Sequence, residues 1–294
     1  MQTSGKFVLL SAIWGGSFAL IKVAVDAGVP PVWVALSRCL FGALTLWAIC
    51  LAGGTAVPRD RRTWGHAAVV AALLNAVPFT LLAYGETQVS SVLAGVFNAT
   101  TPLTTLVFAL LVVPSERMTR TRVAGLLVGF TGVLVVLDAW RGMAGDVLGG
   151  SLACLAATTC YGAGFAYTRR FFSGGDRSAS ALSAVQITCA TLQLAVVAPA
   201  VGGVPSWPGT SAALALLVLG AVGTGLAYVL NLDVIRAAGP AVASTVTYVT
   251  PLWSTALGAV LLGEPVGWTT PIGGVIVLGG VLLARHRPNV RIHP

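Results

Sequence analysis

FVLLSAIWGGSFALIKVAV, residues 7–25, and LGGSLACLAATTCYGAGFAY, residues 148–167, are the two stretches that decide the fold. Each is a continuous apolar run close to the ~20 residues an α-helix needs to cross the hydrocarbon core of a bilayer. The first holds one charge, Lys22, and the second none. Neither alternates apolar with polar residues over about ten positions, as a strand of a membrane barrel would. They also share a pattern. Trp14-Gly15 followed by Ser17-Phe18 in the first answers to Tyr161-Gly162 followed by Gly164-Phe165 in the second.

Outward from these two runs the chain reads as ten spans, with breaks at charges or at Pro and Gly: 7–25, 32–51, 66–84, 91–113, 123–137, 148–167, 181–198, 211–230, 241–262 and 270–284. The composition demands as much. Apolar residues make up 56% of the 294 and charged residues only 9%, against roughly 25% charged in soluble domains. Mean hydropathy is +0.88. A chain so short of charge cannot cover a water-facing surface, so lipid is its solvent. The first run resembles a signal peptide. It is longer than a typical h-region and has a counterpart in the second half, so it is expected to be retained.

The net charge of +8 comes from 17 Lys and Arg against 9 Asp and Glu. The interleaved basic and aromatic pattern of a nucleic-acid surface is absent, and topology accounts for the charge better. With a cytoplasmic N-terminus, one side of the membrane holds Lys6, Arg59, Arg61, Arg62, Arg117, Arg120, Arg122, Arg169, Arg170, Arg177, Arg236, Arg285, Arg287 and Arg291. The other holds Arg141 alone, while Lys22 and Arg38 lie inside spans. Basic residues concentrate on the cytoplasmic side, so both termini are expected there, in a cytoplasmic membrane.

The halves match beyond their first helices. Leu82-Ala83-Tyr84 recurs as Leu226-Ala227-Tyr228, and Thr101-Pro102-Leu103 as Thr250-Pro251-Leu252; Glu116, Gly125 and Gly132-Val133 recur as Glu264, Gly273 and Gly280-Val281. The expected organisation is a first repeat over 1–138, a linker over 139–147, a second repeat over 148–285 and a tail over 286–294. Five helices per repeat is an odd number, so the second repeat enters the membrane inverted. Inverted repeats that rock about a site near the midplane are a transporter signature.

On these residues the chain resembles the drug/metabolite transporter superfamily, and within it the EamA-type bacterial ten-helix exporters. The resemblance rests on Trp14-Gly15-Gly16-Ser17-Phe18 followed by Lys22, on Leu36-Ser37-Arg38, on Thr101-Pro102, and on Leu262-Gly263-Glu264-Pro265. It runs over about residues 7 to 284. It implies a basket of ten helices around a central cavity, and export of amino acids, related metabolites or drugs. Pro114-Ser115-Glu116 departs from the Leu-Gly-Glu often found there.

Polar groups within spans are costly and face a partner, a cavity or water. Asn98, Thr101 and Thr105 make one stripe, and Ser244, Thr247, Pro251 and Ser254 another. Trp14, Ser17 and Tyr161 come from the first and sixth spans, Asn75 and Pro78 from the third, and Thr224, Tyr228 and Asn231 from the eighth. Tyr84, Tyr248 and Trp253 complete the candidate lining of a mostly apolar cavity for an amphipathic small solute. Bonding between helices, at about 0.6 kcal/mol per contact, is the plainer alternative. Arg38, the one charge well inside a span, can pair with an anionic group or with helix-end carbonyls. Lys22 lies nearer a span end, where snorkelling accounts for it.

Every Asp and Glu reads as a loop or helix-end residue. The first span has no carboxylate before Asp26, unlike small cation-exporting relatives, which argues against a cation/proton mechanism. Glu116 and Glu264 are placed to organise turns or helix N-termini. Cys39, Cys50, Cys154, Cys160 and Cys189 read as small packing residues. The glycines at 125, 129, 132, 273 and 280 let helices approach closely, within the chain or across a homodimer. No His, Asp and Glu cluster has metal-ligand spacing and no Gly-x-x-x-x-Gly-Lys-[Ser/Thr] loop is present. Neither a metal, a cofactor nor an enzymatic activity is therefore expected. The expectation is a secondary transporter of an amino acid or related amphipathic solute. A multidrug efflux carrier, a lipid scramblase and a passive facilitator remain as alternatives.

Overall fold

Helix falls on every one of the ten apolar stretches. The computed structural model describes residues 3–112, 120–136, 145–172, 178–203, 205–238 and 246–285. Glu116, Ser244, most of the linker and the tail 286–294 lie outside the described residues.

Helix α1 is Thr3–Asp26 and α2 is Pro31–Ala52. Proline starts α2 without loss, because its missing N–H falls where a helix has no acceptor to offer. The third stretch opens at Asp60, whose carboxylate accepts from Thr63 N at 2.9 Å. It runs as α3 (Arg61–Ala71), a π-helical segment Ala72–Ala76, and α4 (Val77–Gly85). The fourth stretch is split into α5 (Ser91–Asn98) and α6 (Thr101–Val112). Then come α7 (Arg120–Val136) and α8 (Gly145–Tyr167), the latter continued by a π segment Thr168–Phe172. Helix α9 is Ala179–Gly202. The eighth stretch is α10 (Thr210–Gly220), a π segment Ala221–Leu226 and α11 (Ala227–Ala238). Helices α12 (Val246–Leu262) and α13 (Thr269–Arg285) follow. No strand occurs among the described residues.

Among the described residues, six helical stretches are long and apolar enough to cross a membrane: Gly5–Asp26, Pro31–Ala52, Arg61–Gly85, Val147–Phe172, Ser180–Gly202 and Thr210–Asn231. Shorter apolar helices lie at Val123–Gly132, Val249–Leu262 and Thr269–Gly280. Leu51, Leu111, Val196, Val201 and Val260 are all strongly exposed. In water such a surface would aggregate; against lipid tails it is matched to its solvent. The molecule is a multi-pass α-helical membrane protein.

Glycine sets the closest crossings. At Gly15, α1 presses on the Cβ of Trp253 and on the Thr250 carbonyl of α12. At Gly162, α8 presses in the same way on Thr104 and Thr105 of α6. Helix α7 lies antiparallel on α13: a Cβ added at Gly132 would stand 2.6 Å from Val277 N, and one at Gly280 would stand 2.7 Å from the Gly125 carbonyl. Gly132 and Gly280 thus pack one helix against the other, whereas a Cβ added at Gly274 or Gly279 of α13 would meet no atom within 4 Å. The largest core joins α2 and α9, where Cys39, Ala43 and Leu46 lie with Ala184, Val185 and Ile187. Trp47 adds a bond from Nε1 to Thr188 Oγ1 at 2.9 Å.

Glu264 stands at a helix N-terminus, one of the two roles read for it, and that helix is the distant α5. Its carboxylate accepts from Ser91 N at 2.8 Å, Ser91 Oγ at 2.9 Å and Val92 N at 3.1 Å, at the start of α5. There a negative charge meets otherwise unbonded amides and the positive end of the helix dipole.

Candidate functional site

The third and eighth stretches each open with an 11-residue α-helix and then widen into a π segment. A π turn breaks the regular hydrogen-bond ladder and often marks a functional position. Asn75 lies in one π segment and Gly223-Thr224 in the other.

Arg38 of α2 points at the second of these. Its Nε donates to Thr224 Oγ1 at 2.9 Å, and its Nη2 reaches the Gly223 carbonyl at 3.5 Å. The guanidinium carbon sits 3.9 Å from the centroid of the Phe79 ring, a cation–π contact with α4. Arg38 is 7% exposed. Among the described residues no carboxylate forms an ion pair with it; the ion pairs present are Lys6–Asp233 and Lys22–Asp26. A buried cation held only by a hydroxyl, a carbonyl and an aromatic face keeps a large unmet demand for negative charge.

The first π segment is met in the corresponding way. Asn75, fully buried, donates from Nδ2 to the Tyr228 hydroxyl at 2.7 Å. Its Oδ1 accepts from Gln186 Nε2 of α9 at 2.6 Å. The second helix of each half thus sends one long polar side chain to the π segment of the other half, Arg38 to Thr224 and Gln186 to Asn75. An aromatic ring four residues past each π residue completes each set: Phe79 after Asn75, Tyr228 after Thr224. Tyr161 lies within electrostatic reach of both Arg38 and Tyr228.

The remaining candidates fall around this centre or away from it. Ser17 is buried and bonds its own helix at the Ile13 carbonyl, 2.9 Å away; its hydroxyl also faces Gly223. Trp14 is half-buried against the cluster of Leu10, Ala227, Leu230 and Val246. Trp253 donates from Nε1 to Ser11 Oγ at 3.0 Å. Asn98 ends α5 and Thr101 begins α6, so both stand at the break of the fourth stretch. Thr101 is buried, and its hydroxyl has no hydrogen-bond partner among the described residues. Pro78 is buried just past the first π segment. Asn231 and Thr247 are half-buried on α11 and α12. The side chain of Tyr248 lies outside those described. Tyr84 stands apart from the centre, 46% exposed at the end of α4.

Gln186 and Phe79 are the members that sequence reasoning missed. The signal for Gln186 was there: an amide inside an apolar run, as costly in lipid as the hydroxyls that were noticed. Lys22 does more than reach for an interface. Its Nζ donates to the Glu86 carbonyl at 2.9 Å and lies 3.1 Å from Asp26. No three His, Cys, Asp or Glu residues stand together as a metal-holding group among the described residues.

The model of the EamA-like transporter family matches residues 5–138 and again residues 148–285. An uncharacterized inner membrane transporter of Escherichia coli K12, YedA, is 29% identical over 95% of this chain and 89% of its own. Protein PagO of Salmonella typhimurium is 31% identical over 45% of this chain and 42% of its own. A solved crystal structure, 22% identical in sequence, superposes over 96% of both chains with a TM-score of 0.68. That likeness speaks for the fold alone.

Proposed function

The chain belongs to the EamA-like transporter family of the drug/metabolite transporter superfamily, and from that premise we propose a secondary active transporter that carries an amino acid or related amphipathic solute. It is a membrane transporter of a small solute rather than an enzyme. On this reading it works outward across the cytoplasmic membrane, by alternating access between two inverted five-helix repeats with both termini cytoplasmic. The observation that carries the reading is Arg38, a buried cation without a carboxylate partner among the described residues, held where the halves cross.

The chemistry follows from that placement. A guanidinium offers two parallel donors to a carboxylate. Two of its nitrogens now rest on Thr224 and Gly223, and a solute carboxylate would replace those weak acceptors with a full charge. Phe79, Tyr161 and Tyr228 supply apolar faces for the rest of the solute. The matched crossings of α1 with α12 and of α8 with α6 support a rocking motion, because each half grips the other through the same kind of joint.

The test is counterflow in proteoliposomes preloaded with unlabelled amino acids, with labelled amino acids outside. Saturable exchange by the wild type, reduced at least tenfold in Arg38→Gln while Tyr84→Phe is unaffected, is the expected outcome. Exchange that survives Arg38→Gln at full rate removes the anchoring role. No exchange with any amino acid removes the substrate class and turns the search to multidrug efflux, lipid scrambling or passive facilitation.

A further inference from the structure

A carboxyl group is sealed where the ends of α1, α4 and α8 meet the segment that follows α12. Glu86 lies one residue past the apolar span Arg61–Gly85 and is 0% exposed. Neither of its carboxyl oxygens has a hydrogen-bond partner among the described residues. The lid over it is tight: a Cβ added at Gly85 would stand 3.1 Å from the Gly150 carbonyl of α8, and one at Gly150 would stand 2.8 Å from Gln88 Cβ.

The charged and titratable groups facing it are otherwise engaged. On α1, Lys22 donates to the carbonyl of Glu86 and pairs with Asp26. Glu264, from the segment after α12, caps α5. Arg38 on α2 bonds Thr224, and α8 contributes the buried thiol of Cys154, which feels the Glu86 charge. Glu264 has three donors and a structural task, whereas Glu86 has no donor to either oxygen among the described residues. A carboxylate in such a place is penalised as an ion far more than as an acid. Burial pushes the Glu86 carboxyl well above the usual carboxylate range; Lys22 opposes the shift, Glu264 adds to it, Arg38 opposes it and Asp26 adds to it.

We propose that Glu86 is a proton-binding site that latches this end of the bundle: the carboxyl holds a proton while the helix ends are shut and gives it up when they part. The inference rests on the alternating-access reading, in which these ends separate once per cycle. On parting, the carboxyl O–H bond breaks and the proton passes to water at that end. The electron pair stays on the carboxylate, and the Lys22 ammonium supplies the opposing charge. On closing, the carboxylate takes a proton back from the same side. The shut form binds one proton more than the parted form, so alkaline pH favours parting and acid pH favours closure.

Two substrate-free measurements on the full chain in lipid nanodiscs test this. Infrared titration should show a protonated carboxyl carbonyl stretch at neutral pH that Glu86→Gln abolishes. Hydrogen exchange, corrected for its intrinsic rate, should show protection over residues 86–92 and 147–155 falling as pH rises. The expected slope is about tenfold per pH unit once the carboxyl titrates, as one linked proton requires. Glu86→Gln should stay protected throughout, and Glu86→Asp, which keeps a titratable group, should restore a slope. Absence of the carbonyl signal, an undiminished slope in Glu86→Gln, or equal flatness in both variants would overturn the latch. Neither readout uses a solute, so failure of the amino-acid reading in counterflow leaves this result standing on its own.

Discussion

Thr101-Pro102-Leu103 and Thr250-Pro251-Leu252 are the same three residues at matching places in the two halves, and they behave differently. Proline removes a donor and strands the carbonyl four residues earlier. In α12 that carbonyl belongs to Thr247, and Thr250 Oγ1 bonds it at 2.9 Å. The helix then runs on through Pro251 to Leu262. In the first half the carbonyl belongs to Asn98, and α5 stops there. Ala99 and Thr100 make tight turns onto Val96 and Phe97 before α6 restarts at Thr101. The Thr101 hydroxyl has no partner among the described residues, and α8 braces the break instead, with the Thr158 carbonyl accepting from Thr104 Oγ1 at 2.6 Å. Proline opens the option of a break; the hydroxyl before it and the helix beside it decide whether the break is taken.

The strongest way to probe the pairing of the halves is through the glycines at each proline helix. Gly15→Ala drives a methyl into Trp253 and the Thr250 carbonyl. Gly162→Ala sets one 2.6 Å from both the carbonyl carbon and the Oγ1 of Thr104. Each should cost about 1–3 kcal/mol, read as a lower unfolding midpoint in lipid nanodiscs. If one is tolerated and the other is not, the two crossings are not equivalent joints. A smaller and opposite-signed pair tests the hydroxyls. Thr250→Val removes the bond from Thr250 Oγ1 to the Thr247 carbonyl and should lose about 1 kcal/mol. Thr101→Val removes a buried, unbonded hydroxyl and should cost nothing or stabilise. For the prolines, amide exchange reads the break directly. Pro102→Ala should raise amide protection over residues 99–103 as the two pieces join, while Pro251→Ala leaves the pattern along α12 unchanged.

Much of this molecule was legible beforehand. Apolar runs of bilayer length placed the helices, and a charge with no place in lipid singled out Arg38. Glu264 was legible as an acid for a turn or a helix N-terminus, but not that the helix it caps, α5, begins 173 residues away in the chain. The π segments were not legible, because one extra residue per turn leaves hydropathy unchanged; that Asn75 and Thr224 lie within them is a property of backbone winding. Gln186 was passed over because a single amide among Ala, Val and Ile reads as packing until its partner is known. Glu86 was rightly placed at a helix end, but its burial is imposed by α8, more than sixty residues further along the chain. The glycines of α7 and α13 left two partners open; Gly132 and Gly280 each meet the opposite helix within the chain, while Gly274 and Gly279 meet nothing within it.

That last crossing has a consequence for how the protein is made. Helix α7 closes the first half, yet the helix it locks onto is synthesised about 150 residues later. Until residue 269 is made, the Gly125 and Gly132 face of α7 waits in the bilayer without α13. A ribosome stalled before residue 269 would leave that face to lipid or to a neighbouring nascent copy. Swapped pairs should therefore accumulate from slowly translated messages, and α13 acts as the stitch that closes α7 onto its own chain.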